Sequence, residues 1–405
     1  MNQQPALVQA VAGTPDPDAA LRGLDGLAIA VPSHAALYQT LTENPTLLPR
    51  LSQLASSSPP LWQTLLSHLE LLDLIVDATS IDAPPTLSRL ATLPMLAAQA
   101  RRARLQTGAR DLWELATTEE VMAEVSAAAE ATLESALEIA RQELNFTGRF
   151  AIIGLGKLGG SELGYGSDFD VLYVADTEYL TEATRLAERI QKLLRTDLTR
   201  FGLSFEMDAR LRPDGRQGQL VLDLDSYRAY YVQSAATWER HALLKARPVA
   251  GDVGLGREFA ALTESVVYGL PLNNPQIEEI REMKRRIETE RLSNPNDLKL
   301  GPGGLSDIEW TAQLLQLRYG PDQTRLRAPN TLEALRRLRD DVFLTQADWE
   351  TLSTTYRQLI AARNHQYLRT GIASNIAPAQ SEALLTLRKA AREICVRVFY
   401  DHSGE

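Results

Sequence analysis

The sequence predicts an α+β protein that is mostly helical, with a small mixed sheet as its core and helical domains on both sides. Between residues 33 and 144, leucines recur at helical spacing. Between residues 149 and 222, short apolar or alternating runs are separated by glycine-rich segments, which is typical of strands. Most of residues 305–400 is again amphipathic and helical. We therefore predict an N-terminal helical region over 1–144, a catalytic domain over 145–300 and a C-terminal helical domain over 301–405.

Composition excludes several classes of protein. The 405 residues carry a net charge of −10, so no nucleic-acid partner is expected. The single cysteine, Cys395, excludes an internal disulfide framework and a cysteine-based zinc site. No apolar stretch approaches the ~20 residues that span a bilayer, and the first residues lack the pattern of a secretion signal. We expect a cytoplasmic protein without a membrane partner.

The individual elements follow from local patterns. Residues 1–25 are rich in glycine, proline and aspartate, and we expect them to be frayed or partly ordered. Strands are predicted over 149–156, 168–176, 203–211 and 219–222, and helices over 180–201, from 224 to about 250, and over 274–292. The run GPGG at 301–304 predicts a sharp break before the last helices.

The densest chemical signal is the run GSDFD at 166–170. Asp168 and Asp170 are two residues apart on a predicted strand, so both carboxylates point to one face. Two adjacent like charges need a binding partner, and a hard divalent cation such as Mg²⁺ takes oxygen ligands. Asp208 lies on the charged face of the strand 203–211 and is predicted to join the pair if the two strands are neighbours. Glu206 on the same face is either a fourth ligand or a solvated edge residue.

Basic residues gather near these carboxylates although the chain is acidic. As a set they predict binding of a triphosphate, because lysine and arginine neutralise phosphate charge that a metal does not cover. The glycine-rich run GLGKLGG at 154–160 fits neither the dinucleotide-binding fingerprint nor the P-loop in its spacing. The basic set is Lys157, Arg210, Arg212, Arg216, Arg240, Lys245 and Arg247.

Four sequence motifs together resemble those of a known protein family. GLGKLGGSELGYGSDFDVLY (154–173), MDARLRPDGRQG (207–218), TWERHALLKAR (237–247) and KLGPGGLSDIEW (299–310) resemble, in this order, the glutamine synthetase adenylyltransferase family. That family is a branch of the DNA polymerase β-like nucleotidyltransferases. LSHLELLD (66–73) in the helical region is also similar.

The resemblance implies a nucleotidyltransferase core with Mg²⁺ or Mn²⁺ as cofactor and ATP as substrate. It implies that a tyrosine hydroxyl of glutamine synthetase accepts AMP and that the PII signal protein is a regulatory partner. By motif match, Asp168 and Asp170 are the catalytic metal ligands and Asp208 is the third, while Gly166 and Ser167 hold the phosphates of the nucleotide. We expect Lys157, Arg210, Arg212, Lys245 and Arg247 to contribute positive charge to nucleotide binding.

The chain departs from the family in one respect. Members usually carry two catalytic units, one adding AMP and one removing it by phosphorolysis, whereas this sequence has a single GSDxD unit. ELGYGSD (162–168) resembles the adding unit, whereas KLGPGG (299–304) and LLKAR (243–247) look closer to the removing unit. We predict ATP-dependent addition with release of pyrophosphate. Phosphorolytic removal and a non-catalytic nucleotide sensor remain alternatives, as do a half-length paralogue and an excised domain.

Several further residues have two interpretations each. Asp307 and Glu309 either orient basic residues of the site or cap a helix together with Ser306. His241 is either a proton shuttle or a packing residue, and Trp238 either stacks on adenine or packs in the core. The charged run 281–291 is either a solvated helix face or a docking surface.

Overall fold

The protein begins with a helical region whose helices are connected by short turns. A computed structural model describes residues 4–290, 292, 294–376 and 380–400, and predictions for the remaining positions lie outside these residues. The helices of this region are α1 (Gln4–Ala12), α2 (Pro17–Ala30), α3 (His34–Glu43), α4 (Leu47–Ser57), α5 (Pro59–Ser67), α6 (Leu72–Val76), α7 (Ala78–Asp82), α8 (Leu93–Leu112) and α9 (Thr118–Leu144). The prediction of helices over 33–144 is confirmed.

The expectation of a frayed N-terminus is wrong for the described residues, because α1 and α2 are regular helices. Asp16 caps α2 by accepting a hydrogen bond from the Ala19 backbone N–H at 2.9 Å, and Pro17 occupies the first turn. Leu27 of α2 is buried in one cluster with Leu51 and Leu54 of α4. Capping and this apolar contact outweigh the loop-like composition.

The central sheet has five short strands. They are β1 (Phe150–Gly154), β2 (Phe169–Ala175), β3 (Met207–Asp208), β4 (Val221–Leu222) and β5 (Arg247–Gly251). β1 pairs antiparallel with β2 and with β5, while β2 pairs parallel with β3 and with β4. The mixed sheet and the mostly helical α+β class are therefore confirmed.

Both faces of the sheet are covered by helices. The remaining helices are α10 (Gly156–Gly159), α11 (Leu180–Arg195), α12 (Leu224–Gln233), α13 (Thr237–Ala242), α14 (Val253–Tyr268), α15 (Asn274–Glu290), α16 (Leu305–Tyr319), α17 (Thr331–Asp340), α18 (Gln346–Thr370) and α19 (Glu382–Tyr400). Val171 and Tyr173 of β2 pack with α9 and α11. Leu172 and Val174 pack with α12 and α14. Burial on both faces explains why β1 and β2 are continuous apolar runs.

Two strand predictions need correction. The strand predicted over 203–211 is only Met207–Asp208, because the Arg210 backbone N–H turns back to donate to Asp208 Oδ1 at 2.8 Å. β5 lies within a segment that was predicted to be helical up to residue 250. Its Pro248 has no N–H to donate, and β5 pairs only with β1 at the sheet edge, where proline is tolerated.

The C-terminal helices complete the wall around the site. As predicted, the GPGG run forms a turn before the last helices. Gly303 has φ +65°, and Gly304 directly precedes α16. Tyr367 of α18 stacks on Tyr165 with ring centroids 5.9 Å apart. Asn364 Oδ1 of the same helix accepts a hydrogen bond from the Tyr165 backbone N–H at 3.4 Å. The loop before β2 is therefore held by a helix from the other end of the chain. In the described part of the chain, no helix is long and apolar enough to cross a membrane.

Candidate active site

The candidate site is built on the start of β2 and on β3. In the parallel register Asp170 lies opposite Asp208, and the Phe169 backbone N–H donates to the Glu206 carbonyl at 2.9 Å. Asp168 directly precedes β2. These three carboxylates, called here the acidic end, line one cavity of about 430 Å³. The structure thus brings together the three aspartates that the sequence singled out.

The carboxylates of the acidic end repel one another. Burial, together with the negative charges of Asp208 and Asp168, raises the pKa of Asp170 to about 6. Asp208 behaves differently, because Arg210 Nε donates to both of its oxygens at 2.9 and 2.8 Å and lowers its pKa. One cation therefore already faces the acidic end, and Asp170 is left without a partner of opposite charge at hydrogen-bond distance within the described residues.

Glycines allow the backbone to approach the acidic end. Gly156 has φ +51°, and a Cβ at this position would lie 2.7 Å from Asp170 Oδ2. Gly166 has φ +67°, and its Cβ would lie 2.4 Å from Cε2 of Tyr367. Ser167 Oγ donates to the Gly164 carbonyl at 2.8 Å, which tightens the turn before Asp168. Glycine is thus required at these two positions by contacts with Asp170 and with Tyr367.

Another part of the lining of the same cavity is basic. Lys157, Lys299 and Arg363, called here the basic end, line the cavity around Glu309. Lys157 Nζ lies 3.9 Å from Glu309 Oε1 and has no hydrogen-bond partner among the described residues. Burial lowers the pKa of Lys157 to about 7, and the positive charges of Arg363 and Lys299 act in the same direction.

Sequence analysis missed two members of the basic end. Lys299 begins the string KLGPGGLSDIEW, so the motif itself contained a signal that was not used. Arg363 lies in the middle of α18 and no local pattern marks it. Its position near the acidic end depends on how the C-terminal helices pack.

The predicted site residues divide into two groups by position. Those that line the cavity are Gly166, Ser167, Asp168, Asp170, Asp208, Lys157, Arg210 and Lys245. Arg212 and Arg247 do not line it. Arg212 donates to the carbonyls of Ala209 and Gly218 at 2.8 and 3.1 Å. Arg247 donates to the Gly159 carbonyl at 3.0 Å and pairs with Glu130. Their role in phosphate binding stays a prediction that this placement does not favour.

Lys245 lines the cavity, but its ammonium group is already hydrogen-bonded to two side chains of the protein. Its Nζ donates to Glu162 Oε2 at 2.7 Å and to Thr331 Oγ1 at 2.9 Å, and the side chain is buried. This ion pair joins the segment after α13 to the glycine-rich loop and to α17. The geometry assigns Lys245 a structural contact, and its predicted contact with phosphate stays untested.

The donor chemistry of the acidic end fits a hard divalent cation. All three side chains offer carboxylate oxygens, and their mutual repulsion is relieved by added positive charge. Among the described residues, however, no three acidic, histidine or cysteine side chains are already arranged around a common metal position. Asp208 shares its oxygens with Arg210, so a metal at this end competes with that guanidinium. Glu206 is exposed and does not line the cavity, which favours its interpretation as an edge residue.

Burial bears on the remaining sequence alternatives. His241 is buried 4.5 Å from the ring centroid of Trp310, in agreement with packing, whereas Trp238 is 40% exposed and is not a core residue. Asp307 is buried and pairs with Lys284 and Arg392, which do not line the cavity, so its predicted role in orienting residues of the site stays a prediction. Glu309 lies 3.9 Å from Lys157 of the site. Lys284 is 2% exposed, so the run 281–291 is only in part a solvated face.

Comparison with known families agrees with this geometry. Residues 33–262 match the family model described as glutamate–ammonia ligase adenylyltransferase, glutamate–ammonia ligase being another name for glutamine synthetase. The chain belongs to this family. Residues 274–381 match a second model, described as GlnD PII-uridylyltransferase. The adenylyltransferase match covers the sheet and the acidic end, while the second match covers Lys299 and Arg363 of the basic end.

Curated members of the adenylyltransferase family are similar along most of this chain. The chain is 37% identical over 382 residues to a protein of Streptomyces avermitilis, covering 88% of this chain and 38% of that protein. It is 36% identical over 425 residues to a protein of Streptomyces coelicolor and 33% identical over 421 residues to one of Mycobacterium leprae, covering 98% and 96% of this chain. Each is named bifunctional glutamine synthetase adenylyltransferase/adenylyl-removing enzyme. This chain spans 42% of the length of the last two relatives, or about two fifths.

Proposed function

We propose that the chain transfers AMP from ATP to a tyrosine of glutamine synthetase and releases pyrophosphate, with Mg²⁺ or Mn²⁺ as the cofactor. The observation that carries this proposal is the register of Asp170 opposite Asp208, with Asp168 beside them in one cavity. Membership of the adenylyltransferase family and the names of the relatives support glutamine synthetase as the acceptor.

The proposed reaction is an in-line displacement at the α-phosphorus. The tyrosine oxygen forms a bond to this phosphorus, the bond to the bridging oxygen of the β-phosphate breaks, and pyrophosphate leaves. Asp168, Asp170 and Asp208 would hold a divalent cation, which would supply positive charge to the attacking and leaving oxygens. The proposed role of Asp168, Asp170 and Asp208 is to bind the cation through their carboxylate oxygens. Arg210 contacts both oxygens of Asp208, which favours Asp208 as a holder of charge over a general base.

The reverse reaction is a second candidate. The relatives are named for adenylyl removal as well as for addition, and the same carboxylates serve either direction. In removal, an oxygen of inorganic phosphate forms a bond to the phosphorus of the tyrosine-bound AMP, the bond from this phosphorus to the tyrosine oxygen breaks, and ADP and the free tyrosine hydroxyl are the products. The match of residues 274–381 to the PII-uridylyltransferase model also supports the PII signal protein as a regulatory partner. A nucleotide sensor without catalysis is disfavoured, because three carboxylates are retained around one cavity.

The test compares both directions in parallel. The chain is incubated with Mg²⁺ and α-labelled ATP together with unmodified glutamine synthetase, and separately with inorganic phosphate and the AMP-bearing form. Label on a tyrosine with release of pyrophosphate supports the proposal. Phosphate-dependent release of ADP without label transfer would assign the removing activity instead, and neither product would favour the sensor. Asp170→Asn is the matched inactive control.

A further inference from the structure

Buried cations in this protein generally have an anionic partner. Lys245 pairs with Glu162 at 2.7 Å, Arg110 pairs with Glu124 at 3.0 Å, and Lys284 pairs with Asp307. Such pairing is expected, since an unpaired buried charge is strongly destabilising. The basic end departs from this rule.

At the basic end, the nearest carboxylate in the described part of the chain is Glu309, and it lies beyond hydrogen-bond distance of Lys157. Lys157 Nζ and Arg363 Nε are buried and have no hydrogen-bond partner in the described part of the chain. Glu309 is the acidic residue that lines this end of the cavity, and it lies 3.9 Å from Lys157. Lys299 lines the same cavity and acts electrostatically on both Glu309 and Asp170. Glu162 acts electrostatically on Lys157 and Asp297 acts on Arg363, but among the described residues neither cation has a carboxylate at hydrogen-bond distance.

The two ends of the cavity have opposite requirements. The acidic end needs added positive charge, and the basic end needs an anion. Both line the same space of about 430 Å³, with Gly166 and Ser167 on its wall. A ligand that meets both requirements is a metal-bound polyphosphate, whose reacting phosphate lies near the carboxylates and whose outer phosphates reach the cations.

We propose that Lys299 and Arg363, together with Lys157, bind the β- and γ-phosphates of the nucleotide and thereby select a triphosphate over a monophosphate. This inference rests on the proposed function and adds a binding role for the C-terminal helices. Arg363 lies on α18 and Lys299 lies just before α16, so the nucleotide is held between the sheet and these helices. The same residues retain pyrophosphate until it leaves.

The test measures binding of three probes to the full chain by calorimetry in the presence of Mg²⁺: ATP, pyrophosphate and AMP. Arg363→Gln and Lys299→Gln are each expected to weaken ATP and pyrophosphate binding at least tenfold and to change AMP binding less than twofold. Arg357→Gln is the control, because Arg357 lies on the same helix, pairs with Glu119 and does not line the cavity. Lys299 is exposed, so its variant is expected to fold even if Arg363→Gln does not.

The outcomes separate this inference from the proposed function. ATP affinity that is unchanged in both variants overturns the inference alone. An equal loss of ATP and AMP binding also overturns it, because the residues then act on the fold or on the whole nucleotide. Wild-type chain that binds neither ATP nor pyrophosphate overturns both proposals. Selective loss of ATP and pyrophosphate binding supports the inference, even if label transfer to glutamine synthetase is absent and the proposed function fails.

Discussion

Gly156 lies directly against the carboxylate of Asp170, so that a Cβ at residue 156 would be 2.7 Å from Asp170 Oδ2. The Leu155 backbone N–H also donates to the Asp170 carbonyl at 2.8 Å. The turn after β1 therefore fixes both the backbone and the side chain of this aspartate. Its position depends on the absence of a side chain at residue 156.

We predict that Gly156→Ala lowers transfer activity at least tenfold, because the new methyl group displaces the Asp170 carboxylate. The positive φ of +51° adds backbone strain of about 1 kcal/mol. Gly202→Ala is the matched control, since Gly202 has φ +73° but nothing within 4 Å of its Cβ position. Kinetics and urea unfolding of both variants separate strain from displacement. Equal activity in the two variants would contradict the contact.

Asp170→Asn and Asp168→Asn are each expected to lower turnover by at least ~10²-fold while leaving the fold intact. The reason is loss of negative charge that holds the cation, because single electrostatic contacts at a transition state contribute about 3–4 kcal/mol. Asp225→Asn, at an exposed aspartate paired with Arg228, is the control and should keep full activity. Circular dichroism checks the fold. Near-normal turnover in both variants would remove the acidic end from the mechanism.

Lys245→Met tests the buried ion pair with Glu162. We expect a loss of about 3–5 kcal/mol in the free energy of unfolding, because the variant leaves an unpaired buried carboxylate. Adding Glu162→Gln to the same chain should recover part of this loss. Urea unfolding gives both values. Unchanged stability together with weaker ATP binding would show instead that Lys245 contacts phosphate, as the sequence predicted.

His241 gives a pH dependence of stability. Burial lowers its pKa to about 4 from 6.5, and the charge of Lys245 acts in the same direction. Below pH 6.5 the unfolded chain therefore binds a proton at His241 that the native chain does not bind until about pH 4. Protonation of His241 therefore does not reduce the free energy of unfolding above pH 6.5. As the pH decreases from 6.5 to 4, it reduces the free energy of unfolding by about 3 kcal/mol.

His241→Gln should flatten this part of the stability profile, whereas His34→Gln on α3, at an exposed position, should leave it unchanged. Urea unfolding at several pH values between 4 and 7 measures the slope. A slope that is the same in wild type and His241→Gln would exclude His241 as its source.

Part of the acidic end is predictable from the sequence, because Asp168 and Asp170 lie two residues apart where β2 begins. Residues two apart on a strand share a face, so Asp168 and Asp170 are placed together by local pattern. The alternation around Asp208 also marks the correct residue, although β3 is much shorter than predicted. The sequence does not show that β2 and β3 are neighbours, and the structure supplies the pairing of Asp170 with Asp208.

The basic end is not predictable in this way. Arg363 reaches the cavity only because α18 packs against the loop that contains Tyr165, and no local pattern records that contact.

Lys245 shows the opposite difficulty. A lysine that pairs with a buried glutamate and a lysine that binds phosphate look alike in sequence, and only the position of Glu162 distinguishes them. The sequence does not predict β5 because it contains proline and glycine, which are uncommon in strands and tolerated mainly at a sheet edge.

The most direct test of the account is the mass of the acceptor tyrosine peptide after incubation of unmodified glutamine synthetase with this chain, ATP and Mg²⁺. We predict that the peptide gains one AMP per tyrosine with wild-type chain, in step with release of pyrophosphate, and gains none with Asp170→Asn. An unmodified peptide with wild-type chain in both Mg²⁺ and Mn²⁺, or equal modification by Asp170→Asn, would contradict the claim that this acidic end transfers AMP.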